Sequence, residues 1–501
     1  MPFGIRLGLQ WIMRSGRTGR RINYDSNRHV ICFGPSGSGK GVSLEIPNLL
    51  CLGARRGWFR RRQRISIISI DPKGENAAIT ARWRKTVSNV LYLNPLNELG
   101  LGSHGFNPLA ALDDTSPHFF MHASAIAEAL VRITESGDPF FSVSARNLLL
   151  VLVMWEVKCA RAEQRKPLLK NVRGMLTGDL PATATAIFNS GDFVLASLAG
   201  QFMQTNRTND GIVATAASQT QWLLSQPMLD DLEKDGIDWS QLKAKATTVY
   251  VILPAHALET FSVWLRLVVA CAFNALYRQG ASGRLRTLFM LSEFAQLGKM
   301  SMIGAALGQG RGYGIQLLPV LQDLNQLRAI YGKDEANTFL GMSGAAFAFT
   351  PNDPETAEWM SKRAGDITIP VPSANENEQG QGSESFRAER HRAVPPDAMY
   401  NIPAFHGLVF FAGQSEAQPV YAPPYWDRRG NPDLVGRYDP NPYHPGSAGS
   451  GPRVAWKLVQ ATAWAAVAAV LTFSAIELLR TGPSGLPDVL REVARHRIAS
   501  P

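Results

Sequence analysis

Gly34-Pro35-Ser36-Gly37-Ser38-Gly39-Lys40-Gly41, directly after the apolar run Val30-Ile31-Cys32-Phe33, has the form of a phosphate-binding loop between a buried strand and a helix. Glycines permit backbone turns that a Cβ forbids. Successive N–H groups then point inward at phosphate oxygens, assisted by the positive end of the following helix. Lys40 is spaced to reach the β and γ phosphates as a point charge. The stretch thus assigns a ligand class, a nucleoside triphosphate; the competing reading is a tight strand-to-helix turn with a surface lysine. One position departs from the pattern. The Ser or Thr that usually follows the lysine, and whose hydroxyl binds Mg²⁺, is Gly41 here.

Outward from the loop, 28–109 reads as α/β, with strand-like runs at 29–33, 65–70 and 87–93. Pro47 lies well inside the helix that follows the loop, where a kink or early stop is expected. Over 110–234 the pattern changes to helices, at 119–133, 142–159 and 213–224, with Asp138-Pro139 as a start signal. This reads as an inserted all-α domain. Over 235–427 the α/β pattern returns, with strands at 248–253, 287–291, 315–320 and 345–350 and a long apolar helix at 261–277. Alternating strands and helices imply a mainly parallel sheet covered on both faces. Ligands in such sheets bind beyond the carboxyl ends of the strands. Gly34, Asp71, Glu293 and Gln322 each follow a strand and are candidates for that edge.

The flanks differ from this core. Residues 1–27 read as a basic segment without a long apolar stretch, neither signal peptide nor membrane span. Residues 378–385 are polar and read as a mobile loop, and 428–452 read as a Pro/Gly linker. In the terminal segment 453–501, residues 458–479 carry no Lys or Arg and are long enough to cross a bilayer, with Trp456, Lys457 and Arg480 as interface anchors. The alternative is a soluble helix packed on protein.

The chain has 501 residues and a formal net charge of +10, which favours polyanionic partners, nucleic acid or an anionic membrane surface; the competing reading is a solvated basic surface. Part of the excess lies in Arg55, Arg56, Arg60, Arg61, Arg62 and Arg64. Cys32, Cys51, Cys159 and Cys271 sit singly among apolar residues and read as buried thiols in a reducing compartment. Neither the cysteines nor the nine histidines have metal-ligand spacing.

Four further segments sharpen the reading: Asp71-Pro72-Lys73-Gly74-Glu75, Thr247–Ile252 with Leu253-Pro254-Ala255, Leu291-Ser292-Glu293-Phe294-Ala295-Gln296, and the apolar run 315–321 leading into Gln322. In this order behind Gly39-Lys40-Gly41-Val42, and with Asn352-Asp353-Pro354-Glu355 and Pro423-Pro424-Tyr425-Trp426, the chain over 28–426 resembles the TraG/TraD-type conjugative coupling proteins of type IV secretion systems. Gly after the lysine is common in that family. The resemblance implies a RecA-like P-loop NTPase domain of the FtsK/HerA type, split as 28–109 and 235–427 around the all-α insertion. It implies ATP and Mg²⁺ as cofactors and a hexameric ring at the bacterial inner membrane with its motor in the cytoplasm. The ring passes a relaxase–DNA complex or a protein substrate to the secretion channel, binding single- or double-stranded DNA without strong sequence preference.

Carried over by residue, the resemblance makes Gly34, Pro35, Ser36, Gly37, Ser38, Gly39, Lys40, Gly41 and Val42 the nucleotide loop. Asp71 lies near Mg²⁺, Glu293 polarises the attacking water, Gln322 senses the γ-phosphate, and Arg311 reaches a neighbour's nucleotide. The competing readings are structural: Asp71 or Glu293 as helix caps, Gln322 satisfying a backbone group, Arg311 in a surface pair. Two departures stand out. The family usually has Asp before the glutamate, where this chain has Ser292, so with Gly41 two usual supports of the metal are missing. The family also carries two membrane helices ahead of the motor; none is legible before Gly34, so either 458–479 serves as the anchor or the protein is a soluble, peripheral variant. The leading expectation is an ATP-driven coupling motor. Ser292 supports the alternative of a non-hydrolysing docking receptor, and a third reading is a DNA-pumping ATPase unrelated to secretion.

Overall fold

Continuous runs of β-branched and aromatic residues suit strands buried on both faces, and such runs form the centre of an eleven-stranded sheet. The computed structural model describes residues 5–12, 17–54, 64–133, 139–281, 285–376 and 382–444. The chain divides into two compact units, 1–451 and 452–501; the second, with the expected helix at 458–479, lies outside the described residues, as do Asp138 and Arg55, Arg56, Arg60, Arg61 and Arg62.

The strands are β1 Ile5–Ile12, β2 Arg17–Tyr24, β3 His29–Phe33, β4 Ile65–Asp71, β5 Asn89–Leu93, β6 Thr247–Ile252, β7 Arg286–Leu291, β8 Ile315–Leu321, β9 Ser343–Phe349, β10 Asp366–Glu376, β11 Gly382–Arg392, β12 His406–Phe411 and β13 Gln418–Tyr421. The large sheet runs in the order β2-β1-β13-β12-β9-β3-β8-β7-β4-β6-β5. From β9 to β5 every pairing is parallel; from β9 outward through β12, β13, β1 and β2 every pairing is antiparallel.

Strand periodicity assigns the two faces. On β3, Ile31 and Phe33 join the core beneath helices Leu258–Arg278, Ser301–Gln309, Leu324–Met342 and Pro354–Ala364. Val30 and Cys32 face the other way, against Leu44 and Leu49 after the loop and Ala77 and Ala81 of helix Glu75–Arg84. The expected strands and the long helix are present, within a residue or two at most ends. The described residues between β5 and β6 form helices and no strand, including Phe119–Leu130, Phe140–Ala162 and Arg207–Gln219. Their apolar side chains, Leu149 and Leu152 among them, share one core with Trp264 and the sheet. Phe140–Ala162 and Ala255–Arg278 are apolar and long enough to cross a membrane, and most of each apolar stretch is buried inside the protein.

Three expectations change. Residues 1–27 are not merely a basic segment: β1 and β2 complete the sheet's edge. Arg6 is buried there because its guanidinium donates to Asn431 Oδ1 (2.8 Å) and Asp433 Oδ2 (2.5 Å). Residues 382–385, expected in a loop, already pair with 373–376 in the β10–β11 hairpin; an exposed two-stranded ribbon needs no apolar alternation to betray it. Nor is 428–444 a free linker. Leu434 and Asn431 are fully buried, Arg437 stacks on Trp83, and Tyr443 Oη donates to Lys73 O (2.6 Å). Here Pro and Gly shape a strap that is bound along its length.

Candidate nucleotide site

Strand order brings the predicted residues to one edge. Phe33 pairs with Leu321, and the Gly34 N–H donates to Leu321 O at 3.0 Å, so the loop and Gln322 leave the sheet side by side. On the far side of β8, Leu291 pairs with Pro319 at the end of β7, which delivers Ser292 and Glu293. Beyond β7, β4 ends in Asp71. One strand therefore separates the loop strand from the glutamate strand, and that strand carries Gln322.

The loop is shaped by two left-handed glycines, Gly37 (φ 81°) and Gly39 (φ 95°). Gly39 is doubly constrained, since a Cβ there would meet Phe405 Cδ1 at 2.7 Å. Lys40 Nζ donates to Gly34 O and to Pro35 O (3.0 Å), which holds the ammonium over the loop. Ser38 Oγ and Ser43 Oγ are buried without a hydrogen-bond partner. After Lys40 the first turn, Lys40–Glu45, is π-helical, with Ile46 N–H donating to Gly41 O. The α-helix Ile46–Cys51 then starts with Pro47 in its first turn, where the missing N–H costs nothing. The kink expected at Pro47 is thus a change of helix type, of the kind often found at functional sites. Val42 O accepts from Tyr425 N–H (2.9 Å), which fastens the Pro423-Pro424-Tyr425-Trp426 segment to this turn.

Three carboxylates lie near these strand ends. Asp71 is 2% exposed; its Oδ2 accepts from Ala77 N–H (2.8 Å), so it does cap the next helix. Burial, with Glu45 and Glu75 nearby, pushes its pKa up to about 7 against the helix N–H bonds. Glu293 is exposed and left-handed (φ 54°), a conformation uncommon for a residue with a side chain. Sequence reasoning missed Glu45. This carboxylate is 5% exposed, and its Oε2 accepts from Ser292 Oγ (2.5 Å) and Asn76 Nδ2 (3.1 Å). Burial raises its pKa, opposed by those two hydrogen bonds and by Lys40. The available signal was an acid inside an otherwise apolar helix stretch, Leu44-Glu45-Ile46.

Gln322 is half-buried, with its N–H bonded to Gln326 Oε1 (2.9 Å). The Asn352-Asp353-Pro354-Glu355 segment supports the chain just beyond it: Asp353 Oδ1 accepts from Asn325 Nδ2 (3.1 Å) and Thr356 Oγ1 accepts from Leu324 N–H (3.0 Å). Arg311 does not join this group. It is exposed in the turn Gly310–Tyr313 ahead of β8, at the opposite edge of the sheet.

Residues 9–423 match the family model described as Type IV secretory system Conjugative DNA transfer. The chain belongs to this family. It is 29% identical over 403 residues to the conjugal transfer protein TraG of Agrobacterium fabrum, covering 77% of this chain and 58% of that protein. It is 26% identical over 407 residues to the type IV secretion system-coupling protein VirD4 of Bartonella quintana, covering 77% and 61%. The chain thus matches about three-fifths of the length of these relatives. In fold it is similar to the bacterial conjugative coupling protein TrwBdeltaN70 (TM-score 0.61, 17% identity, covering 83% of this chain and 88% of that one). It is likewise similar to plasmid coupling protein TrwB in complex with ADP and Mg²⁺ (TM-score 0.59, 18% identity, covering 81% and 87%). For this member of the conjugative DNA transfer family the α/β, RecA-like fold with a mostly parallel sheet is therefore as expected. Its Gly41 is not forced by crowding, since a Cβ there meets nothing within 4 Å. Its four cysteines are free thiols, and burial pushes those of Cys32 and Cys271 up to about 12.

Proposed function

We propose that this protein is the ATP-binding motor of a type IV secretion coupling system, which recruits a relaxase–DNA complex or a protein substrate and drives it to the transfer channel. The observation that carries the reading is the meeting of loop, Lys40, Gln322, Glu293 and Asp71 at one sheet edge in a chain of the conjugative DNA transfer family. In this reading the loop N–H groups and Lys40 bind the triphosphate. Glu293, exposed at the same sheet edge as the loop, orients the attacking water and accepts its proton. Gln322, tied through Leu321 to Gly34, relays the state of the γ-phosphate into the sheet. A hexamer, an inner-membrane location and non-specific DNA binding belong to the same proposal.

The residues fit a divalent cation. Asp71 and Glu45 are buried carboxylates within electrostatic range of each other, Lys40 acts on Glu45, and Ser38 Oγ and Ser43 Oγ are buried hydroxyls with no partner, oxygen donors of the kind Mg²⁺ takes. Ser38, Ser43, Glu45 and Asp71 would hold it there, directly or through water, and once bound it would supply positive charge to offset that of the phosphates.

Steady-state ATPase measurements on the full chain, with and without DNA, test the proposal. Lys40→Ala is expected to abolish turnover and nucleotide binding, and DNA binding is expected to weaken as salt rises. Turnover that survives Lys40→Ala sinks the proposed site. Ser292, which adds no charge of its own, favours a second reading, a non-hydrolysing docking receptor; intact ATP binding with no turnover in the wild type would select it.

A further inference from the structure

Ser292 occupies the strand-end position before the glutamate, and its hydroxyl donates to the carboxylate of Glu45 at 2.5 Å. We propose that Glu45, reaching from the loop helix, supplies the metal-side carboxylate that β7 lacks, with Ser292 and Asn76 holding it in place. The inference rests on the nucleotide reading of the loop.

Three independent features converge on Glu45. The first is backbone geometry. In an α-helix a residue five positions on from Lys40 would be rotated about 140° away from it. The π turn Lys40–Glu45 lengthens the repeat to i→i+5 and returns Glu45 to the lysine's side. The second is hydrogen bonding. Both donors bind the same oxygen, Oε2, from two different elements, the end of β7 and helix Glu75–Arg84. The carboxylate is thereby fixed between the loop and β7. The third is the setting. Glu45 is almost wholly buried and has no Arg or Lys ion pair among the described residues, while the charges of Lys40 and Glu293 both act on it. A purely structural acid in a core is normally paired or replaced by an apolar residue. At this position Leu44 and Ile46 on either side are fully buried and apolar. A carboxylate kept there, anchored to the strand end that carries Glu293, has the placement to accept hydrogen bonds from the water shell of a phosphate-bound cation. Glu45 is then a positioning residue, acting through that shell. The carboxylate has moved from the strand to the helix that faces it, and the serine is its hydrogen-bonding support.

The test measures binding of a fluorescent ATP analogue to the full chain with Mg²⁺ and with EDTA, and Mn²⁺ retention by EPR in the presence of ADP. Glu45→Gln keeps the size and an acceptor for Ser292. It is expected to lose about tenfold or more of the Mg²⁺-dependent gain in affinity and to release Mn²⁺, with metal-free nucleotide binding unchanged. The double variant Glu45→Val with Ser292→Asp, which moves the charge back to the strand, is expected to regain both. Wild-type Mg²⁺ dependence in Glu45→Gln overturns the inference. So does a loss of metal-free binding as large as the loss with Mg²⁺, which marks a folding role, and so does a double variant that fails to recover Mn²⁺. A wild type that binds no nucleotide overturns the loop's reading instead, and this inference with it.

Discussion

Gly39 and Gly41 are two residues apart and answer opposite demands. Gly39 has φ +95° and its missing Cβ makes room for Phe405, whereas Gly41 has open space where a Cβ would go. Gly39→Ala should therefore destabilise the ligand-free protein by about 1–3 kcal/mol, while Gly41→Ala should leave it unchanged or raise it by about 0.5–1 kcal/mol. Urea unfolding of the two variants separates them. Asp71 gives a second residue-scale prediction. Its carboxyl is held up at about 7 against an ordinary 3.8, chiefly by burial. The folded protein thus binds a proton that the unfolded chain has already released. Stability from this group falls as pH rises from about 4 to about 7 and stays low above that. Asp71→Asn keeps an acceptor for Ala77 N–H without the charge. It should be more stable than the wild type at pH 8 by about 1–3 kcal/mol, with the difference vanishing below about pH 4; unfolding at the two pH values checks it. The glycines, Lys40, Glu293 and Gln322 were legible because each stands at a strand end in a fixed pattern. Glu45 was not, because its partners Asn76 and Ser292 are brought to it only by tertiary packing, and because the π turn that aims it leaves no mark in helical periodicity.

At the scale of elements, the parallel strands were readable because burial on both faces demands uninterrupted apolar runs, as in Val249-Tyr250-Val251-Ile252. The antiparallel edge carries a weaker signal. β1 interrupts its apolar residues with Arg6 and Gly8, and Gly8 lets Tyr421 O approach to 2.7 Å of the would-be Cβ. β12 is different, since Leu408-Val409-Phe410-Phe411 is a strong apolar run whose antiparallel pairing with β9 and β13 is set only by the tertiary fold. The strap 428–444 could not be read at all, because Pro and Gly are equally suited to a free linker and to a chain laid along a surface. What fixes the strap is polar. Arg6 is 3% exposed and joins β1 to Asn431 and Asp433, while Arg82 pairs with Asp439 at 2.6 Å from a side chain that is 57% exposed. Losing the first leaves buried acceptors unsatisfied, whereas the second is screened by solvent. Arg6→Ala should cost about 2–3 kcal/mol, and Arg82→Ala no more than about 1 kcal/mol. Thermal melts of the two variants, together with proteolysis after the strap's arginines, provide the comparison. Equal losses would show that the strap is not held through Arg6.

Arg311 belongs to the scale of the whole molecule. It precedes β8 whereas the loop lies beyond that strand's other end, and seven residues of strand at about 3.3 Å each put roughly 20 Å between the two. No rotamer of an arginine spans that gap, so Arg311 cannot serve the nucleotide of its own chain. The hexamer proposed above would resolve the difficulty if its interfaces are head-to-tail, because such an interface brings one edge of a subunit against a different edge of its neighbour. An exposed cation at the edge away from its own loop is then available to the next subunit's γ-phosphate, where an arginine contributes roughly 10³-fold or more to turnover. The consequence is complementation. Lys40→Ala subunits lack a nucleotide site but retain Arg311, and Arg311→Ala subunits lack the arginine but retain the site. Each alone should be inactive, with Arg311→Ala still binding nucleotide. An equimolar mixture should regain activity, up to about a quarter of the wild-type rate if subunits assemble at random, because only one ordered neighbour pair in four joins an intact site to an intact arginine. An Arg311→Ala variant that turns over at the wild-type rate would make Arg311 an ordinary surface charge. Inactive parents whose mixture stays inactive would remove the shared site between neighbours, leaving the arginine a role within its own subunit that acts through β8 and Gln322.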